Sequence, residues 1–270
     1  MGLAVAGADR VLDAIAGQAV ATGGTVRARL HTADPPTAGN ELAGNGYAAV
    51  ELAANTFALA TDAGHRELRF PAMEFFAEAG QAAQTARSIG LWHGATLAWS
   101  AAINVVPRNN RVFSDAGDVV AALQLAGDGM TFTAAALDRA LRALRGEALA
   151  ARPNIRWALH SAALPTGGDG VATNELTGGG IDSVPDVAWG KLTSGVWRRI
   201  RQTAVVDFGT MTGNANAAPE SIALWDGPPE NAGSVLLAYR AQVGVSLPIT
   251  GDEVTVAANE LYMGVNLPGA

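Results

Sequence analysis

The chain contains no cysteine. Disulfide frameworks, thiolate zinc sites and cysteine nucleophiles are thereby excluded. Of its 18 basic residues only one, Lys191, is lysine. Charged residues make up 16% of the 270, and the formal net charge is −7. That balance speaks against a nucleic-acid binder, which needs a basic face to neutralise phosphates. Disorder is excluded too, because it requires low hydrophobicity and high charge, whereas 49% of these residues are hydrophobic. No long apolar run is present. The longest uncharged stretch, Ser88 to Val106, holds Gly90, His93, Gly94, Ser100 and Asn104. It reads as two strands meeting at His93-Gly94 and not as a spanning helix. Met1 to Gly7 has no basic segment, and Asp9 and Arg10 interrupt it, so no secretory signal is expected. The reading is a soluble globular chain long enough for two domains.

What the chain has in abundance is alanine, at 56 residues, and glycine, at 32. With arginine in place of lysine, this is the skew of a GC-rich coding sequence. More informative is self-similarity. Shifted by 129 positions, Ala8 to Ala33 lies on Leu137 to Ala162 without a gap. Asp9/Asp138, Arg10/Arg139, Leu12/Leu141, Gly17/Gly146, Arg27/Arg156, Leu30/Leu159 and His31/His160 are identical pairs. Asn40-Glu41-Leu42 recurs as Asn174-Glu175-Leu176, and Ser88-Ile89-Gly90-Leu91-Trp92 as Ser221-Ile222-Ala223-Leu224-Trp225. Leu97-Ala98-Trp99 is matched to Leu237-Ala238-Tyr239, and Gly117-Asp118 to Gly251-Asp252. Such landmarks in one order mark a tandem duplication, with repeats over 1–130 and 131–270.

Each repeat is predicted to open with a helix. Leu137, Leu141, Leu144 and Ala148 make one apolar stripe, and Leu12, Ile15 and Ala19 its counterpart. Thr133 is the expected N-cap, Asp138 and Arg142 an i,i+4 pair, and Asp9 a first-turn acid. The second helix, Ala134 to Ala150, is taken as the linker. A half-buried strand follows, with Val26, Ala28 and Leu30 on one face and Arg27, Arg29 and His31 on the other. Ile155 to Ser161 repeats it. Turn-rich stretches come next, Asp34–Gly39 and Leu164–Gly170. Further strands are predicted at Tyr47–Leu52, Glu67–Phe70, Arg87–Trp92, Thr96–Ile103, Val119–Leu125, Ile200–Phe208, Ser221–Trp225, Val235–Val243 and Glu253–Ala257. The expected fold class is mainly β: two tandem homologous antiparallel β-sandwich domains, each preceded by one α-helix.

Motifs that carry chemistry are scarce. Gly190-Lys191 lacks the upstream glycine of a phosphate-binding loop, and Gly44-Asn45-Gly46 does not complete a dinucleotide fingerprint. Neither a Gly-x-Ser-x-Gly elbow nor a His-Glu-x-x-His helix occurs. The four histidines are His31, His65, His93 and His160. His31 and His160 are repeat equivalents and are read as strand-end histidines bonding a neighbouring loop. Asp34, Glu41 and Glu175 invite a paired-carboxylate glycosidase reading. Asp34 has no counterpart in the second repeat, so Asn40-Glu41 and Asn174-Glu175 are read as turn residues bonding backbone. Trp92 and Trp225 end matching strands and are expected in the core, with the indole N–H bonded at the rim. No catalytic residue, metal ligand or cofactor is assigned.

The elements Leu30-His31-Thr32-Ala33-Asp34-Pro35, Gly39-Asn40-Glu41-Leu42, Gly46-Tyr47 and Ile89-Gly90-Leu91-Trp92 resemble a family of bacteriophage tail-fibre-like and minor tail proteins. These occur in phages, prophages and gene transfer agents of GC-rich bacteria. In the second repeat His160, Asn174, Glu175 and Trp225 keep the pattern, the Asp-Pro is displaced, and Ile181 replaces Tyr47. The resemblance implies a virion structural component of the tail, baseplate or tail fibre, assembled in the bacterial cytoplasm. Its implied partners are other virion proteins and further copies of itself, with no nucleic acid and no membrane insertion. A receptor- or carbohydrate-binding adhesin taking a host surface glycan is the alternative, as is a capsid decoration protein. A glycan hydrolase is the weakest reading.

Overall fold

The computed structural model describes residues 2–44, 46–62, 65–75, 85–105, 112–114, 116–165, 174–177, 179–185, 188–213, 217–227, 234–241 and 248–267. Asn45, the later part of Leu164–Gly170 and the end of Val235–Val243 lie outside them. The first repeat runs β1 (Gly2–Leu3), α1 (Val5–Ile15), β2 (Val26–His31), β3 (Val50–Glu51), β4 (Ala58–Asp62), β5 (His65–Arg69), β6 (Met73–Glu74), β7 (Ala86–His93), β8 (Thr96–Val105), β9 (Val112–Ser114) and β10 (Val120–Gln124). The second follows the same order. It runs β11 (Thr131–Phe132), α2 (Ala134–Leu144), β12 (Ile155–His160), β13 (Val184–Pro185), β14 (Trp189–Ser194), β15 (Trp197–Gln202), β16 (Val206–Thr210), β17 (Ser221–Asp226), β18 (Val235–Ala241), β19 (Glu253–Val256) and β20 (Tyr262–Asn266).

Every strand and α-helix of one repeat thus has a counterpart in the other, and the strand order agrees as well. The first five-stranded sheet is β1-β8-β7-β2-β3 and the second β11-β18-β17-β12-β13. Three-stranded sheets β10-β5-β4 and β20-β15-β14 correspond, as do the pairs β6-β9 and β16-β19. All described pairings are antiparallel. The fold is therefore mainly β, with two α-helices among the described residues. It departs from two tandem sandwiches, because the strands of each repeat divide among three sheets.

Local departures from expectation have local causes. The predicted strand Ile200–Phe208 is two strands, β15 and β16, in different sheets. A bulge skips Ala98 between Leu91 and Trp92, and the same bulge skips Leu237 between Leu224 and Trp225. Trp99 therefore corresponds to Ala238, one residue off the alignment with Tyr239. The helices end early, at Ile15 and Leu144. Gly17 and Gly146 follow in the left-handed region, at φ 74° and 92°. Those bends turn Val20 and Leu149 inward and leave Ala19 and Ala148 exposed. Thr133 caps α2 by accepting the Ala136 N–H at 3.3 Å. Asp9 stands beyond the first turn of α1.

The linker is the short reversal between β10 and β11, not α2. Both helices belong to a seam between the repeats. There α1 packs on α2, on its own strand β8, and across onto β15 and β20 of the other repeat. In the same way α2 packs on its own β18 and across onto β5. Polar contacts follow this crossing in mirrored pairs. Arg10 Nε donates to Ala143 O and Arg139 Nε to Ala14 O, each at 3.0 Å. Arg10 Nη2 reaches Glu147 O, and Arg139 Nη2 reaches Gln18 O. Gly23 N–H donates to Gly146 O, and Arg152 N–H to Gly17 O. Val20 and Leu149 exchange N–H···O bonds, both 2.8 Å. Arg198 pairs with Asp9 and Arg66 with Asp138, and each arginine also donates to a threonine of the adjacent edge strand, Thr193 or Thr61. Asp138 is thereby taken by Arg66, and the expected partner Arg142 turns to Glu147.

Reciprocity of this kind defines an isologous contact. The chain is two copies of one unit related by an internal twofold axis. Its main core cluster runs unbroken through both repeats, from Leu12, Leu30 and Leu91 to Leu141, Leu159 and Leu224.

Unfolding in urea is accordingly expected as one transition monitored by tryptophan fluorescence; two separated midpoints would count against a shared core. A Cβ on Gly17 or Gly146 would lie about 2.5 Å or less from the Ile155 or Val26 side chain. Gly17→Ala and Gly146→Ala should each cost about 2 kcal/mol, since both meet a left-handed backbone and a crowded neighbour.

Candidate functional site

The repeated motif residues converge at one place in each repeat, on the outer face of the five-stranded sheet. His31 ends β2 and His160 ends β12, and antiparallel pairing sets them opposite Ser88 and Ser221. Each imidazole is sandwiched between a tryptophan and an asparagine. Trp92 Nε1–H donates to His31 Nε2 at 3.1 Å, and Trp225 Nε1–H to His160 Nε2 at 3.1 Å. The indole is a donor only, so Nε2 presents its lone pair and the proton sits on Nδ1. That Nδ1–H donates to Asn40 Oδ1 at 3.0 Å in one repeat and to Asn174 Oδ1 at 2.7 Å in the other. Both rings are fully buried, although strand alternation places them on the polar face of β2 and β12. In the first repeat the loop that follows β2 folds back over the ring, and in the second Asn174 takes the same place beside His160.

Further bonds hold these segments. Asn40 Nδ2 donates to Pro35 O and Asn174 Nδ2 to Leu164 O. Asn40 O takes the Thr32 N–H and hydroxyl, and Asn174 O those of Ser161. Ser88 Oγ donates to Ala33 O at 2.6 Å and Ser221 Oγ to Ala162 O at 2.7 Å. Those hydroxyl pairs, Thr32/Ser161 and Ser88/Ser221, were readable as repeat equivalents.

The glutamates behave alike but draw their arginines from different strand positions. Arg29 pairs with Glu41 at 3.0 Å, and its other nitrogen donates to Gly94 O. Arg156 pairs with Glu175 at 3.0 Å and donates to Gly227 O. By the 129-residue shift Arg156 corresponds to Arg27, so the same two acceptors are reached from a residue two places earlier. Arg29 also lies 4.9 Å over the Trp92 ring, a cation–π contact. Tyr47 is specific to the first repeat. Its hydroxyl accepts the Leu30 N–H at 3.0 Å and donates to Glu41 at 3.2 Å, and burial pushes its pKa up. Ile181, buried, replaces it in the second repeat. Asp34 is exposed and stands apart from this network.

Such an arrangement fixes loops on strands. Neither His31 nor His160 keeps a lone pair for a substrate or a metal ion. Glu41 and Glu175 are each neutralised by an arginine. Among the described residues, no group of three His, Asp or Glu side chains converges to hold a metal. No helix there is long and apolar enough to cross a membrane. Compared with known proteins, the chain is matched by no family model, no curated protein and no solved structure.

Burial lowers the pKa of His31 and takes those of His160 and His93 down to about 4. His93 belongs to the seam, where its Nε2 lies 2.7 Å from Leu144 O. An unfolded histidine titrates near 6.5, so the stability from these groups is complete above that pH. It is lost as pH falls from about 6.5 toward 4, where the unfolded chain binds protons that the folded chain refuses. For His160 and His93 the loss is on the order of 3 kcal/mol each. Imidazole NMR signals of His160 should stay those of the neutral ring down to pH 5; a midpoint above 6 would contradict the Trp–His–Asn chain. Trp92→Phe and Trp225→Phe each leave a buried nitrogen without its donor, at an expected cost of about 1–3 kcal/mol in urea unfolding. The two effects should add, because the two sites share no partner.

Proposed function

We propose that this chain is a structural component of a bacteriophage particle, on the tail, baseplate or tail fibre, acting by assembly and docking and not by catalysis. The observation that carries this reading is the reciprocal seam. It joins two copies of one unit into a single body that presents equivalent surfaces about an internal twofold. A body of that kind suits a symmetric assembly, in which each contact is made by a repeated patch. The motif that suggested the phage family supports the same reading, since its residues are taken up in tying neighbouring segments to β2 and β12 and not in a reactive site. Exposed Leu164, Val205 and Ile249 supply apolar points on the second repeat for contact with further virion proteins or further copies. The adhesin alternative loses its aromatic platform, because Trp92 and Trp225 are only 4% and 2% exposed. A capsid decoration protein differs from the favoured reading only in its place on the particle.

Immunogold labelling of particles from the host that encodes the chain should mark the tail, while sedimentation of the purified chain should show a homo-oligomer. Label confined to the capsid would favour decoration. A monomer absent from every particle would overturn the assembly reading.

A further inference from the structure

A cavity of about 390 Å³ lies at the seam, and its walls come in dyad-related pairs. Leu3 of β1 and its equivalent Phe132 of β11 both line it, and so do Leu123 of β10 and its equivalent Val265 of β20. Gln124 and Asn266, equivalent ends of β10 and β20, are exposed and place two amides at the mouth. The twofold is broken below them. Leu137 and Leu144 of α2 reach the cavity, whereas their α1 counterparts Ala8 and Ile15 do not. Trp99 forms a wall on one side, where the equivalent position is Ala238. Among the described residues, no charged side chain lines this space.

We propose that this cavity is a binding site for a small uncharged ligand of mixed polarity, with its apolar part against Trp99, Phe132, Leu137 and Leu144 and its hydrogen-bonding end at the Gln124 and Asn266 amides. The size falls within the roughly 300–1,000 Å³ of small-molecule sites, and the lining mixes apolar side chains with polar groups. An ion would lose its hydration here with no opposite charge to replace it. The apolar part of such a ligand gains dispersion contacts with the apolar side chains of the wall, Trp99 and Phe132 among them. Because the cavity is asymmetric below its mouth, one ligand is bound per chain, although the repeats are two. This site is independent of the particle on which the chain is placed.

The full chain is titrated with the neutral fluorophore N-phenyl-1-naphthylamine, with 8-anilinonaphthalene-1-sulfonate as its anionic analogue. Saturable one-to-one binding of the neutral probe is expected. Asn266→Trp and Ala122→Trp, both at exposed lining positions, should each weaken it by at least about tenfold, and the sulfonate should bind about tenfold more weakly. Circular dichroism identifies the variants that are folded. Non-saturable binding, equal affinity for the sulfonate, or unchanged affinity in either folded variant would overturn the proposal.

Discussion

Two backbone hydrogen bonds between Val20 and Leu149 join each repeat to its own image, and the paired contacts of Arg10 and Arg139, of Gly23 and Arg152, and of Asp9 and Asp138 follow the same reciprocity. Once those residues are paired, α1 and α2 have to lie against each other. Arg10 and Arg139 then have to reach across to the carbonyls of the opposite helix. Gly17 and Gly146 make this possible, because only a left-handed turn directly after the helix brings the next segment back to the axis. The helices then cover the three-stranded sheet of the other repeat, so neither repeat closes its core alone.

Against that frame the histidine motif has a plain purpose. A strand end on the outer face of a sheet leaves polar groups that a loop must cover. Trp92, His31 and Asn40 form a chain from donor-only indole through neutral imidazole to a side-chain amide, and the second repeat forms the same chain. Every buried polar atom of each imidazole has a partner, which is the condition for burying such a ring without loss. The neutral state follows from this, since a second proton would face an N–H donor.

Much of this was legible in the sequence, and the rest was hidden for identifiable reasons. The duplication could be read because identical residues recur in order. The motif residues His31, Asn40, Glu41 and Trp92 were all singled out, but one by one. Sixty-one positions separate His31 from Trp92, and only strand pairing brings them together. Trp99 was matched one residue off, to Tyr239 and not Ala238, because Leu-Ala followed by an aromatic outmatched the true alignment. The stripe of α1 showed that it had a partner face without saying whose. The ion pairs of Asp9 and Asp138 escaped because their arginines lie in the other repeat, where no local spacing rule applies. The three-sheet division was hidden in Ile200–Phe208, whose apolar content continues across the break between β15 and β16.

The seam has one further consequence, which concerns inheritance. In a dimer of identical chains, any substitution at a twofold interface alters both of its halves at once. Here the two halves are written separately. Lys191 binds Asp13 on one side, while the corresponding positions are Leu59 and Arg142 on the other. His93 meets Leu144 O, while its counterpart Asp226 takes Arg152. A symmetric partner could therefore keep recognising what the repeats share, while each side of this chain is free to acquire contacts that its twin lacks.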